Sequence, residues 1–187
     1  MASAEQARKL LALHGMLQTQ PSSDWKGDFL LPDIVKRFYQ EVGPNDVHVK
    51  GYGNDYFFPK LASLWEFQAG YRWNGLTNEL IPDWNDHWLV VADEGGDPFI
   101  LSRSSGVILH AYHGEGVWDA QEMFPDLNTL AACLGQLGAV TIAAGDSFLG
   151  KAFSIRPEHR QHALHELTGL LGTESKAEEV LGRLGWG

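Results

Sequence analysis

One cysteine, Cys133, stands in 187 residues. An internal disulfide needs two and thiolate-rich zinc sites need more, so both are excluded. A lone thiol suits a reducing compartment, and a cytoplasmic location is expected. Positive charge is scarce too. Lys and Arg number 14 against 24 Asp and Glu, a formal net charge of -10. Phosphate backbones are held by clustered Lys and Arg, so nucleic acid is not an expected partner. A basic protein is the better electrostatic match, because opposite net charge speeds encounter. The same charge also serves solubility alone. No apolar run approaches the roughly 20 residues of a transmembrane helix. The patch Leu10 to Leu13 is cut by His14 and Gly15 and preceded by Glu5, unlike a secretory signal. No membrane association is expected. Internal repeats and low-complexity segments are missing as well.

What is present is a globular composition, 44% hydrophobic and 20% charged, at a length that buries one core without staples. The most informative stretch is Trp88 to Ser102. Trp88 to Ala92 carries two adjacent valines and predicts a buried strand, and Phe99 to Leu101 predicts a second. Between them lies Asp93-Glu94-Gly95-Gly96-Asp97-Pro98. Adjacent glycines permit positive φ and Pro98 fixes the re-entry, so the segment predicts a β-hairpin with an acidic tip.

Around this hairpin the patterning is helical at both ends. Ser3 and Gln6 have capping-box spacing, and Ala7, Leu10, Leu11, His14 and Leu17 predict a helix over Ala4 to Gln18. Pro32 opens a second helix whose face is Ile34, Val35, Phe38, Tyr39 and Val42, stopped by Gly43-Pro44. Val47 to Lys50 alternates like a half-exposed strand, Leu61 to Trp65 suggests a short helix or turn, and Val107 to Tyr112 another strand. Asp126 is a good N-cap for a helix through Leu127, Leu130, Leu134 and Leu137, with Val140 to Ile142 ambiguous between helix and strand. Pro157 opens a late helix ending at Gly172, and a short one follows from Glu174 to Leu184. Strands in the middle and helices at both ends predict an α+β fold, a central mainly antiparallel sheet flanked by N- and C-terminal helices.

The acidic tip admits three readings. Asp93, Glu94 and Asp97 can offer oxygen ligands to calcium or magnesium, form a plain turn, or face a protein partner. Their spacing is not that of a calcium loop, and Asp is a common turn residue. No metal or cofactor is expected. His110 and His113, three apart in a strand, point to opposite faces. His159, His162 and His165 fall on the late helix as solvated surface. Ser147 lacks the flanking glycines of a nucleophile elbow, and Cys133 sits beside an apolar helix face. No nucleophile constellation emerges, and the protein is not expected to be an enzyme. Seven Trp and five Tyr remain. Trp88 is expected in the core; Trp73, Trp84 and Trp118, among Gly, Asn and Asp, are expected exposed or half-exposed, or else packed under their own loops.

Several pieces, in order, resemble the SUKH superfamily, which includes yeast cell-wall-synthesis regulators of the Smi/Knr type and bacterial toxin-immunity proteins. Trp88 to Leu101 resembles its central hairpin, and Gly106-Val-Ile-Leu109 its next strand. His113-Gly-Glu-Gly-Val-Trp118 resembles its loop before a Trp, and Phe124-Pro-Asp-Leu-Asn-Thr-Leu130 the entry to its late helix. Leu31-Pro32 with Ile34, Val35, Phe38 and Tyr39 resembles its early helix. Gly43-Pro44-Asn45 stands where the family often has Asn-Gly-Gly. The resemblance implies one domain over 1–187, with a family-like core at about 30–138 and a helical extension at 139–187. It implies a non-catalytic protein-binding role, an immunity protein that neutralises a cognate toxin such as a basic nuclease. The candidate partner-binding residues are Asp93, Glu94, Asp97, His113, Glu115, Trp118 and Asp119. The alternatives are a regulatory scaffold, as in the yeast relatives, or a metal-dependent hydrolytic enzyme built on the Asp93–Asp97 loop.

Overall fold

Strand alternation organises the centre of the molecule. The computed structural model describes residues 1–187. In it β3 (Trp88–Glu94) and β4 (Asp97–Ser102) form the longest antiparallel pair. Strands β1 (Val47–Val49) and β2 (Tyr56–Phe58) precede them, and β5 (Ile108–His110) and β6 (Gln121–Phe124) follow. The six strands lie in the order β1-β2-β3-β4-β5-β6, an antiparallel meander. Helices α1 (Ala4–Leu11), α2 (Asp33–Glu41), α3 (Leu127–Ala144), α4 (Pro157–Leu171) and α5 (Glu174–Arg183) complete an α+β fold.

Both faces of the sheet are covered, by different materials. On one face Leu89, Phe99, Leu101 and Ile108 join the helices in a core of 39 buried residues drawn from Ala2 to Trp186. On the other, Val90, Ile100, Leu109 and Ala111 pack under Tyr71 and Trp84, from the irregular segment before β3. Helix α3 is apolar on almost every side, as a fully buried helix must be. Asp126 caps it by accepting from Thr129 N at 2.8 Å. It crosses position 138 without a break, and Val140 to Ile142 continue it. Gly138 lets the helix pass close to β1, because a Cβ there would lie 2.4 Å from Val49 Cγ1. With its following turn, Leu127–Ser147 is the one helix long and apolar enough to cross a membrane, and 67% of that window is buried inside the protein.

Several expectations need correction. Helix α1 ends at Leu11, not Gln18. The chain turns there, His14 Nε2 meets Gly135 O at 2.7 Å, and Gln18 N donates to Gly43 O at 2.8 Å. Backbone pairing with residues 43–45 replaces the last helical turns. Strand β5 is confined to Ile108–His110, and β2 and β6 have no counterpart in the sequence reading. Trp88 is half-buried while Trp84 is buried. The ladder turns Trp88 outward beside Val90, and Trp84 fills the space beneath its own loop, their rings 5.3 Å apart.

The acidic tip is tighter than expected. Asp93, Glu94, Asp97 and Pro98 all belong to the strands, leaving Gly95-Gly96 as a two-residue turn. Both glycines have positive φ, 60° and 105°, as a primed hairpin turn demands. A Cβ on Gly95 would also lie 2.3 Å from Asn54 Nδ2. Gly95→Val is therefore expected to cost at least about 1–2 kcal/mol, by forcing a β-branched residue into left-handed backbone. Thermal melts check it: a variant melting like the parent contradicts the turn geometry.

Candidate functional site

The strand pleat divides the hairpin's carboxylates. Asp93 lies opposite Phe57 and Pro98, and its Oδ2 accepts the Tyr71 hydroxyl at 2.9 Å, so it faces the outer layer. Gly96 N donates to the same oxygen at 3.3 Å. Burial raises the Asp93 pKa, and the charge of Asp97 adds to this; the two hydrogen bonds pull the other way. Glu94 and Asp97 are ladder partners and face the helices with Tyr56 and Phe99. Burial, and then the charge of Asp97, push Glu94 up to about 7.

Asp97 and His113 are brought together although 16 residues separate them. Asp97 Oδ1 accepts from His113 N at 2.7 Å and lies 2.6 Å from its Nδ1. This fixes the ring and the loop that carries it. The His113 side chain stays 62% exposed. No hydroxyl or thiol is hydrogen-bonded to it, so the pair is a hydrogen-bonded dyad without a nucleophile beside it.

Trp118 belongs to the outer face. It is half-buried, its ring 5.7 Å from both Tyr71 and Trp84, and its backbone N–H donates to Asp83 Oδ2 at 3.0 Å. Tyr71 thus joins Asp93 to Trp118. Glu115 is exposed at the loop tip, and Asp119 is exposed with its Oδ1 accepting from Gln121 Nε2 at 2.7 Å. Five of the seven candidates therefore fall into two sets, while Glu115 and Asp119 stand exposed in the loop. Asp93 and Trp118 meet through Tyr71 outside; Glu94, Asp97 and His113 gather on the helix side. The three hairpin carboxylates do not converge, and no group of three His, Cys, Asp or Glu side chains is placed to hold a metal ion.

The core also buries polar groups that patterning did not reveal. His110 is 2% exposed with neither ring nitrogen partnered, and burial lowers its pKa to about 4. The Tyr56 hydroxyl and Trp186 indole N–H are likewise buried without a hydrogen-bond partner. Burial raises the Tyr56 pKa; the nearby indole N–H opposes this weakly, though the pair falls short of hydrogen-bond geometry. Tyr112 OH donates to Arg183 O at 2.8 Å, tying the loop to α5. Strand alternation does not govern His110 and His113, because β5 ends at His110; the first is buried in the strand and the second exposed in the following turn.

The remaining reactive types are structural. Cys133 is fully buried and its thiol pKa is raised by burial. His162 and His165 are exposed, but His159 is drawn inward, its Nε2 3.0 Å from Ser147 O. Ser147 Oγ donates to Ala144 O at 2.7 Å, serving the turn after α3. Comparison with protein-family models, curated proteins and solved structures finds nothing that matches this chain.

Proposed function

We propose that the protein is a non-catalytic binding domain of the SUKH type, an immunity protein that holds a cognate basic toxin, such as a nuclease, inactive in the bacterial cytoplasm. The observation that carries this is the set of acidic and aromatic side chains held in place on the two faces of the hairpin end. Tyr71 holds Asp93 beside Trp118, and His113 holds Asp97, so the carboxylates lose little freedom on meeting cationic groups. Exposed Glu115 and Asp119 extend the negative surface of a chain at -10. Carboxylates there take the place of substrate phosphates in the partner's basic cleft. The ordered SUKH resemblance of residues 30–138 supports the same reading, and the regulatory role of the yeast relatives uses the same kind of surface.

The test begins with recovering the partner from the native cell and measuring binding kinetics. Neutralising Glu115 and Asp119 should slow association, with a salt dependence set by a Debye length of about 8–10 Å. Trp118→Ala should speed dissociation and cost about 2 kcal/mol or more. The Glu115/Asp119 variant should melt near the parent; Trp118→Ala gives up packing on Tyr71 and Trp84, so its kinetics are read at a temperature where its melt shows it fully folded. Unchanged kinetics in both would remove the hairpin end from the interface. Turnover of a small substrate by the isolated protein, lost on His113→Ala, would replace the binding role with chemistry at the Asp97–His113 dyad.

A further inference from the structure

Of the six asparagines in the chain, Asn74 alone is followed by glycine. The pair lies in the irregular segment before β3, and both residues are exposed. A tight turn holds them. Asn74 Oδ1 accepts from Leu76 N at 2.9 Å and from Thr77 N at 3.2 Å. Asn74 O accepts from Asn78 N, and Asn74 N donates to Glu79 O, each at 2.8 Å. Its Nδ2 and the Gly75 N–H make no hydrogen bond within the protein. The turn does not require glycine here. Gly75 is not among the residues with positive φ, and a Cβ there would meet only Ala69 Cβ, at 3.6 Å, an ordinary contact.

What glycine leaves is an uncrowded peptide nitrogen next to a side-chain carboxamide. Deprotonated by hydroxide, Gly75 N can attack Asn74 Cγ and close a succinimide ring, with both groups tethered in one turn. Negative charge builds on Oδ1 as the N–Cγ bond forms. Leu76 N and Thr77 N already donate to that oxygen, as the donors of an oxyanion hole do. Nδ2 takes a proton from water and leaves as ammonia when the Cγ–Nδ2 bond breaks. Water then opens the ring at either carbonyl, giving aspartate or isoaspartate. The net change is one water consumed and one ammonia released, with no oxidant or reductant.

We propose that Asn74-Gly75 is a self-modifying site, at which the folded protein converts Asn74 to aspartate and isoaspartate through a succinimide. The other asparagines lack the open nitrogen: Asp follows Asn45, Asn54 and Asn85, Glu follows Asn78, and Asn128 lies inside α3. Either product adds a negative charge beside Trp73, whose ring packs on Trp65 with centroids 4.9 Å apart. Aspartate keeps the Oδ1 acceptor and the turn. Isoaspartate routes the main chain through Cβ and Cγ, which displaces both oxygens that hold the turn and loosens the bridge between Trp73 and Leu80. This chemistry is independent of any binding role.

The test is prolonged incubation of the purified, folded protein in mildly alkaline buffer, with peptide mass spectrometry at intervals. The mass change of amide to carboxylate should be confined to the Asn74 peptide, with ammonia released in equal amount. Both aspartate and isoaspartate should appear, and conversion should be slower in mildly acidic buffer. Gly75→Ala should slow it by roughly tenfold or more, because the added methyl crowds the attacking nitrogen. The room around that Cβ lets this variant melt like the parent. An unchanged Asn74 while other asparagines react, aspartate without isoaspartate, or a Gly75→Ala rate equal to the parent's would overturn the proposal. So would conversion seen only in urea, since the turn would then protect Asn74 instead of activating it.

Discussion

Trp186→Ala is expected to lower the unfolding free energy by about 3–5 kcal/mol, although Trp186 is one residue from the end of the chain. Residues so near a terminus are usually dispensable unless tied down. Here the ring is fully buried, edge-on to Phe148 with centroids 5.3 Å apart. Its backbone is anchored as well. Trp186 N donates to Leu181 O at 2.8 Å, and Trp186 O accepts from Arg160 Nε at 2.9 Å. These main-chain bonds survive the substitution, and the indole N–H has no full hydrogen bond to lose. The cost is therefore transfer plus cavity. Trp186→Phe keeps most of the volume and should cost clearly less. Urea unfolding measures it, as a fall in midpoint at unchanged slope. A parent-like midpoint for Trp186→Ala would mean that the segment after α5 is not docked.

Glu94→Gln is expected to change how stability depends on pH. Glu94 sits near 7 in the folded state against an ordinary 4.5. Between those values the native state keeps a proton that the unfolded chain has released, so this group lowers stability as pH rises. His110 works in the opposite sense. Its pKa falls from an ordinary 6.5 to about 4, so between them the unfolded chain takes up a proton that the buried ring refuses. Its contribution is lost as pH falls through that window. The two windows overlap from 4.5 to 6.5, where the slopes oppose each other and largely cancel.

Replacing Glu94 with neutral Gln removes one of the two. The stability of Glu94→Gln relative to the parent should climb by about 1–3 kcal/mol between pH 4.5 and 7, the upper figure being full linkage and the lower allowing for partial solvation of the carboxylate. Taking the difference at each pH cancels the titrating groups that do not interact with Glu94, leaving its own shift and its coupling to Asp97 and Asp93. His110→Phe should show the reverse, a stability relative to the parent that falls from pH 4 to 6.5. Differences flat with pH for both variants would mean that neither group is shifted by burial.

The residues that could be placed from patterning share one property: their structure depends on neighbours a few positions away. The Ser3–Gln6 capping box forms as spaced, with Gln6 N donating to Ser3 Oγ at 3.1 Å. Asp126 caps α3, Gly172 follows α4, and Gly95-Gly96 makes the turn. A capping bond, a helical face and a two-residue turn are short-range consequences of side-chain chemistry and backbone freedom, so sequence spacing was enough for the helices, the central hairpin and the α+β class.

Strand β6 shows the limit. Gln121-Glu122-Met123-Phe124 carries no alternation that marks a strand, and it is one because β5 stands ready to pair with it. Helix α1 stops early because residues 43–45 offer its downstream chain another backbone partner. Trp84 and Trp88 trade places because burial depends on which layer covers a ring, not on its neighbours in the chain. The candidate site follows the same division. Its acids and aromatics were visible as residue types, but Asp97 meets His113 across 16 positions and Asp93 meets Tyr71 across 22. Only the pleat, by sending adjacent carboxylates to opposite faces, decided that Asp93 joins Trp118 while Glu94 and Asp97 turn toward the helices.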